Sequence, residues 1–332
     1  MNKKIFYALM ASVMLSACDE GKDAYEKYPG VSEKVSLEVV MSSSETTKAS
    51  GIGGDEEKAV QNYQVLVYDM SSRMLEVYNT PASTASSVTL ECTAGQKEIV
   101  VLANAPDVSS AVSYDEFVKM RSNLSDNAVG SLVMEGSSPA EITSATNSVT
   151  VDIRRLAAKV VLEGINVNFE NDAYDAKTFV LKNVYLTNVA ADKTYLAEGA
   201  GPDSWYNKIV RTSFPNVDEM IFESLGDVDI TEGYTGKHHF YCYPNPHQED
   251  TFSADVWSPR PTRLVVEAEL GGVLYYYPVS LPVIEQNKRY YVTLNIVRPG
   301  ATGPEEDMDR YAATFTIKIE EWKEPVIVTE TI

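Results

Sequence analysis

All three histidines of the chain fall in one stretch, "KHHFYCYPNPH", which also holds a cysteine: His238, His239, Cys242 and His247. Imidazole and thiolate are ligands for zinc, which takes about four of them in a tetrahedral array. The stretch alternates as a strand does, however. Alternation sets His238, Phe240 and Cys242 on one face and His239, Tyr241 and Tyr243 on the other. His238 and Cys242 then stand two pleats apart, too far to share a metal ion unless the strand bends. The stretch reads as a packed strand, with no metal and no cofactor. A Ser-His-Asp site would need the same histidines, and no nucleophile motif accompanies them. The sequence has no G-x-S-x-G elbow, no G-x-x-x-x-G-K-[ST] phosphate loop and no H-E-x-x-H pair. "GIGG" (Gly51 to Gly54) lacks the spacing of a nucleotide fingerprint and reads as a hinge. The expectation is a protein that is not an enzyme.

The elements that would carry these residues are strands. "KVSLEVVM" (Lys34 to Met41), "YQVLVYD" (Tyr63 to Asp69), "MLEVYN" (Met74 to Asn79), "SVTLEC" (Ser87 to Cys92) and "EIVVLAN" (Glu98 to Asn104) are short β-branched or aromatic runs, parted by turn chemistry such as "TAGQK". One segment departs from period two. "SYDEFVKMRSNL" places Phe117, Met120 and Leu124 on one helical face, with Ser113 and Glu116 at capping-box spacing, and predicts a short helix. "RRLAAKVVLEGINVNF" (Arg154 to Phe169) begins the second half, with a register change at Gly164. The strand-and-turn style then repeats to "ATFTIKIEEW" and "PVIVTETI". Many short strands broken by Gly, Pro and Asn predict an all-β fold of two antiparallel sandwiches, with the boundary near residues 156 and 157. Tyr275 to Tyr277 fit strand alternation. Trp205, Tyr206 and Trp257 fall on loops, where an exposed aromatic platform would suit a glycan- or matrix-binding surface protein.

The N-terminus explains where the chain goes. Lys3 and Lys4 precede an apolar core, Ile5 to Leu15, too short for a permanent membrane helix, so residues 1–17 read as an export signal. Leu15-Ser16-Ala17-Cys18 resembles the lipobox of bacterial lipoproteins. That resemblance implies cleavage between Ala17 and Cys18 and a diacylglycerol-type lipid on the Cys18 thiol. Asp19 and Glu20 follow at once, similar to the surface-export signals of Bacteroidetes lipoproteins. The chain has 28 basic and 48 acidic side chains, net −20. Loss of Lys3 and Lys4 with the signal leaves 26 against 48, net −22. Such a charge excludes nucleic acid and anionic membrane surfaces as natural partners. Cys92 and Cys242, far apart in strand-like runs, read as buried free thiols rather than a disulfide.

Taken in order, these features resemble the fimbrillins of Bacteroidales, the subunits of surface fimbriae of the Porphyromonas type. The resemblance rests on the lipobox, the following strand and the basic site "TTKAS". It continues through "NYQVLVYD", "VVLANAP", "DIRRLAAKVVL" (Asp152 to Leu162), "FYCYPN" (Phe240 to Asn245), "TRLVVEAEL", "YYYPV" and "RYYVTLNIVRPG", and ends with Trp322 ahead of an apolar terminal strand. It implies two transthyretin-like sandwiches, 49–156 and 157–332, behind a lipidated tether and removable strand, 18–48. It implies cleavage by a surface protease between Lys48 and Ala49, where the Porphyromonas pattern has Arg. It also implies donation of the last strand, with Val326, Ile327 and Val328, to another subunit. The implied partners are other stalk, anchor and tip subunits, the protease, the outer membrane through lipid, and an adhesion target. Without the cut, the chain would serve as a lipid-held anchor subunit instead.

Overall fold

In a computed structural model, the residues described are 34–43, 55–145, 147–175, 177–196, 201–249, 257–306 and 312–322. The first half begins with β1 (Lys34–Ser43), a 3-10 turn at Asp55–Lys58, β2 (Tyr63–Asp69), β3 (Met74–Asn79), β4 (Ser87–Thr93) and β5 (Gly95–Ala103). It continues with α1 (Tyr114–Phe117), β6 (Arg121–Asn123), a 3-10 turn at Leu124–Asp126, β7 (Met134–Ile142) and β8 (Asn147–Arg155). The second half opens with β9 (Ala158–Val167), α2 (Asp172–Asp175), β10 (Phe179–Thr187), β11 (Val189–Ala190), β12 (Asp192–Thr194) and β13 (Trp205–Tyr206). Then come α3 (Asp218–Ile221), β14 (Phe222–Asp229), β15 (His238–Cys242), β16 (Arg263–Leu270), β17 (Val273–Ser280), β18 (Lys288–Ile296) and β19 (Ala313–Glu321). The fold is all-β, as the periodicity predicts.

Two expectations need correcting. The helix from Ser113 is a single turn: the Ser113 hydroxyl caps it by accepting from the Glu116 N–H at 3.3 Å. Its continuation is drawn instead into β6, which pairs with β12 across the two halves. Phe117 and Leu124 are still buried, so the apolar face is real although most of it is not helical. Two further helical turns, α2 and α3, occur in the second half. The sheets are also not purely antiparallel. β1 runs parallel to β8, and β9 parallel to β18. Parallel neighbours need a long crossover, and β2 to β7 lie between β1 and β8. The register change at the start of the second half is real: the β9–β18 ladder skips Glu163, next to Gly164.

The strands of the first half form one sheet in the order β3-β2-β5-β7-β8-β1-β4. β7 and β8 pair over only two residue pairs, Met134 with Arg155 and Glu135 with Arg154, and the sheet turns a corner there. At Gly136 a Cβ would sit 2.2 Å from the Asp152 carbonyl oxygen, so only glycine lets β8 cross so closely. The two wings, β3-β2-β5-β7 and β8-β1-β4, close on a core containing Leu37, Val39, Val65, Val67, Leu90, Cys92, Ile99 and Val101. In the second half, sheets β14-β10-β16-β17 and β15-β9-β18-β19 enclose a second core.

That second core extends into the first half. Alternate residues of β2 and β5, namely Leu66, Tyr68, Val100 and Leu102, belong to it together with Val160, Val184, Val266 and Val292. β2 and β5 are thus buried on both faces, which is why "VLVY" (Val65 to Tyr68) and "IVVLA" are continuously apolar. Buried polar pairs stitch the same junction. Lys193 reaches Glu135 at 3.1 Å, and Gln286 donates to the same carboxylate at 2.9 Å. The Tyr243 hydroxyl lies 2.7 Å from Ser122 Oγ and accepts from Asn127 Nδ2 at 2.8 Å. Where β8 passes into β9, Lys159 pairs with Glu57 at 2.6 Å, and Arg155 donates to the Glu57 carbonyl at 3.0 Å. The Tyr241 hydroxyl donates to the Glu57 carboxylate. The Trp322 ring lies 4.6 Å from the Arg155 guanidinium and stacks on Tyr241 at 6.0 Å.

Two consequences can be measured. Because β2 and β5 line both cores, unfolding in urea should be one transition. Fluorescence from Trp205, Trp257 and Trp322, all in the second half, should track far-UV circular dichroism from both halves; separate midpoints would show that the halves unfold alone. Lys159→Ala leaves Glu57 buried without its ion-pair partner and should cost about 3–5 kcal/mol in the same assay.

Candidate assembly interface

β1 is the strand that the sequence reading expects to be removable, and its setting is that of an inserted strand. Lys34 to Val40 pair antiparallel with Thr93 to Ser87 of β4. Leu37 to Ser43 pair parallel with Asn147 to Ile153 of β8. Both backbone edges are thereby occupied. Alternation points Leu37, Val39 and Met41 inward, at 0%, 1% and 6% exposure, while Ser36 and Glu38 face outward. Val88, Leu90 and Cys92 wall the slot on the β4 side, and Val149, Val151 and Ile153 wall it on the β8 side. Val65, Val67, Ile99 and Val101 form its floor. Burying three such side chains contributes about 5–9 kcal/mol. A vacated slot would therefore be both apolar and edged with unpaired amides and carbonyls.

One end of the slot is closed by charge. Lys97, fully buried, lies on the same face of β5 as Ile99 and Val101. It reaches Asp69 at 2.6 Å, Glu76 at 2.6 Å and the Thr93 hydroxyl at 2.9 Å. Glu76 accepts from the Thr93 backbone N–H at 2.5 Å and from its hydroxyl at 3.1 Å. The Lys97 ammonium, hydrogen-bonded to Asp69, holds that carboxyl well below its usual range; Ser71 and Ser72 add to the effect. "TAGQK" reads as a turn in the sequence, whereas Gly95 to Lys97 open β5 and bring Lys97 into this cluster. The available signal was a lysine in phase with Ile99, Val101 and Ala103.

The processing and donor residues named from the sequence, Ala17, Cys18, Lys48, Ala49, Val326, Ile327 and Val328, lie outside the described residues, as does the Gly51–Gly54 hinge. Cys92 and Cys242 are buried free thiols. His238 and Cys242 share the inward face of β15. His238 is held by Tyr234, whose hydroxyl lies 2.6 Å from Nε2, and by Glu223, 2.8 Å from Nδ1. The aromatic residues do not form an open platform. Trp205 is buried, meeting Trp257 edge-on at 5.3 Å, and the Trp257 indole N–H points to Asn188 Oδ1 at 3.4 Å. Tyr206 packs against Phe214 at 4.6 Å.

Residues 34–191 match the sequence profile of the family described as Major fimbrial subunit protein (FimA). Major fimbrium subunit FimA type-2 of Porphyromonas gingivalis is 23% identical over 216 residues, which is 59% of this chain and 54% of that protein. The match thus spans about half the length of the curated relative. The fold is similar to that of a candidate cell adhesion protein from Bacteroides eggerthii, with TM-score 0.67 and 18% identity, covering 88% of this chain and 97% of that one. It is also similar to a fimbrilin from P. gingivalis, with TM-score 0.63 and 16% identity, covering 89% and 99%.

Cys92 offers a direct probe of the slot. It sits opposite Val35, and burial, then the neighbouring Glu76 carboxylate, raise its thiol pKa. In the folded full-length chain it should resist a thiol reagent. After displacement of the segment containing β1 it should react, and equal reactivity before and after would show that β1 does not cover it. Leu37→Ala should cost about 2–5 kcal/mol by chemical denaturation.

Proposed function

We propose that this chain, similar to the fimbrillins in sequence over residues 34–191 and in fold over most of its length, is a structural subunit of a cell-surface fimbrium supporting adhesion. The observation that carries the reading is β1: a strand paired on both edges, with its apolar face in the core, near the chain's start. In this reading the precursor is exported as a lipoprotein, is lipidated at Cys18 and reaches the outer surface with β1 in place. Two transthyretin-like bodies, 49–156 and 157–332, follow the tether. A protease cuts between Lys48 and Ala49, and the segment carrying β1 departs.

The physical logic is that of strand replacement. An emptied slot presents unpaired N–H and C=O groups beside apolar pockets, a template for another extended segment. The terminal segment around Val326, Ile327 and Val328 of another subunit has suitable alternation, with Val326 and Val328 on one face. Head-to-tail donation is heterologous and does not close on itself, so it extends into a filament. Keeping β1 until the surface is reached keeps the precursor monomeric. A chain that escaped the cut would stay attached through Cys18 and act as an anchor. The glycan-binding alternative loses its support, because Trp205 and Trp257 are occupied with each other and with Asn188.

N-terminal sequencing and intact mass of protein sheared from cells decide between these fates. A start at Ala49 supports the stalk subunit, and a lipid-bearing start at Cys18 supports the anchor. Lys48→Ala should abolish the polymer ladder on a gel, and ladders unchanged by it would refute the cut. Deleting residues 323–332 should leave a folded monomer unable to donate; a chain that fails to fold would place the tail in its own sandwich.

A further inference from the structure

The topology gives β4 an unusual dependence. Among the described residues its only ladder is the one with β1, and it forms the last strand of the sheet. When β1 leaves, β4 loses every strand-to-strand hydrogen bond described for it. Among the described contacts of β4 at the Ser87 end, what remains is Val88 packed against the core. The Thr93 end is held much more firmly. Its backbone N–H and hydroxyl are both bound by Glu76, its hydroxyl also accepts from buried Lys97, and Lys97 is tied in turn to Asp69. Only Ala94 separates β4 from β5, so the same end is covalently short-tethered to the rigid central wall.

We propose that Asp69, Glu76, Thr93 and Lys97 form a fixed hinge. It holds β4 at its Thr93 end when β1 is absent, so that the emptied slot opens from the Ser87 end. This rests on the strand-replacement reading. The four are positioning residues: they do not touch the incoming strand's apolar side chains but keep one wall of its slot in place. β4 is then a half-attached flap, neither collapsed across the core nor free to unfold. An incoming strand pairs first where the hinge fixes the register and zips toward Ser87. Lys97 occupies a position that alternation would give to an apolar residue, and its three partners come from β2, β3 and β4. It therefore ties three strands together at the one end of the slot that β1 does not need to secure.

The test uses the full-length chain with a specific protease site placed in residues 44–50, cut in place. The freed segment is removed by dialysis from mild urea and hydrogen exchange is read along β4 in the emptied chain; association of excess synthetic peptide of the sequence Pro325 to Ile332 is then measured separately. Amides of β4 that rely on the β1 ladder, from Ser87 to Cys92, should lose protection, most at the Ser87 end, while that of Thr93, bound by Glu76, keeps it. Glu76→Ala should erase that gradient and slow peptide association by about tenfold. If Glu76→Ala does not fold, Thr93→Val removes the hydroxyl alone and should weaken the gradient in the same direction. Equal exchange at both ends of β4 in the unmodified cut chain, or a gradient untouched by the substitutions, overturns the hinge. A peptide that never binds while the gradient stands would sink the donor-strand reading and leave the hinge in place.

Discussion

A strand hydrogen-bonded along both edges cannot leave a sheet without exposing two rows of backbone groups, and β1 is such a strand. It joins β8 to β4, and its inward side chains complete the core between the two wings of the first sheet. The rest of the first half is arranged around that fact. Parallel pairing with β8 lets β1 lie inside a sheet whose other pairings are antiparallel. The corner at Gly136 folds the two wings together over it.

The body behind β1 is built to stay still. β2 and β5 serve two cores at once, so the two halves share that wall. Charges buried at the junction would be costly alone; paired, they fix one arrangement. Glu57 binds Lys159 and the Arg155 side chain from the segment just after β1, and Trp322 covers the same cations from the end of β19. The 3-10 turn at Asp55–Lys58, the start of β9 and the last described residue are thereby held at one place. The strand replacement proposed above needs a frame that does not follow the strand out, and this packing is suited to be one.

The polar residues that could suggest chemistry are used as braces. His238 ties β15 to Glu223 on β14 through a hydrogen bond and stacks on Tyr234. Tyr243 gathers Ser122 and Asn127 from the other half. Burial without a partner would be expensive for each of these groups. Their pairing satisfies them within the fold.

Strand identity was legible in the sequence because period-two alternation and turn residues are local signals. β2 and β3 fall where "YQVLVYD" and "MLEVYN" put them, and β1 where "KVSLEVVM" does. The apolar face of "SYDEFVKMRSNL" was legible too, but not its shape, because β12, about seventy residues on, captures Arg121 to Asn123 as a strand. The same limit hid the parallel pairs, the shared wall and the Lys97 cluster. Alternation tells which side chains of a strand share a face; it does not tell which distant strand lies beside it, nor whether its second face meets water or another core. The sequence by itself determined an all-β chain and the place of its strands, "KVSLEVVM" among them. Only tertiary structure decided that this strand sits between two others, because pairing partners are chosen by packing across the whole chain.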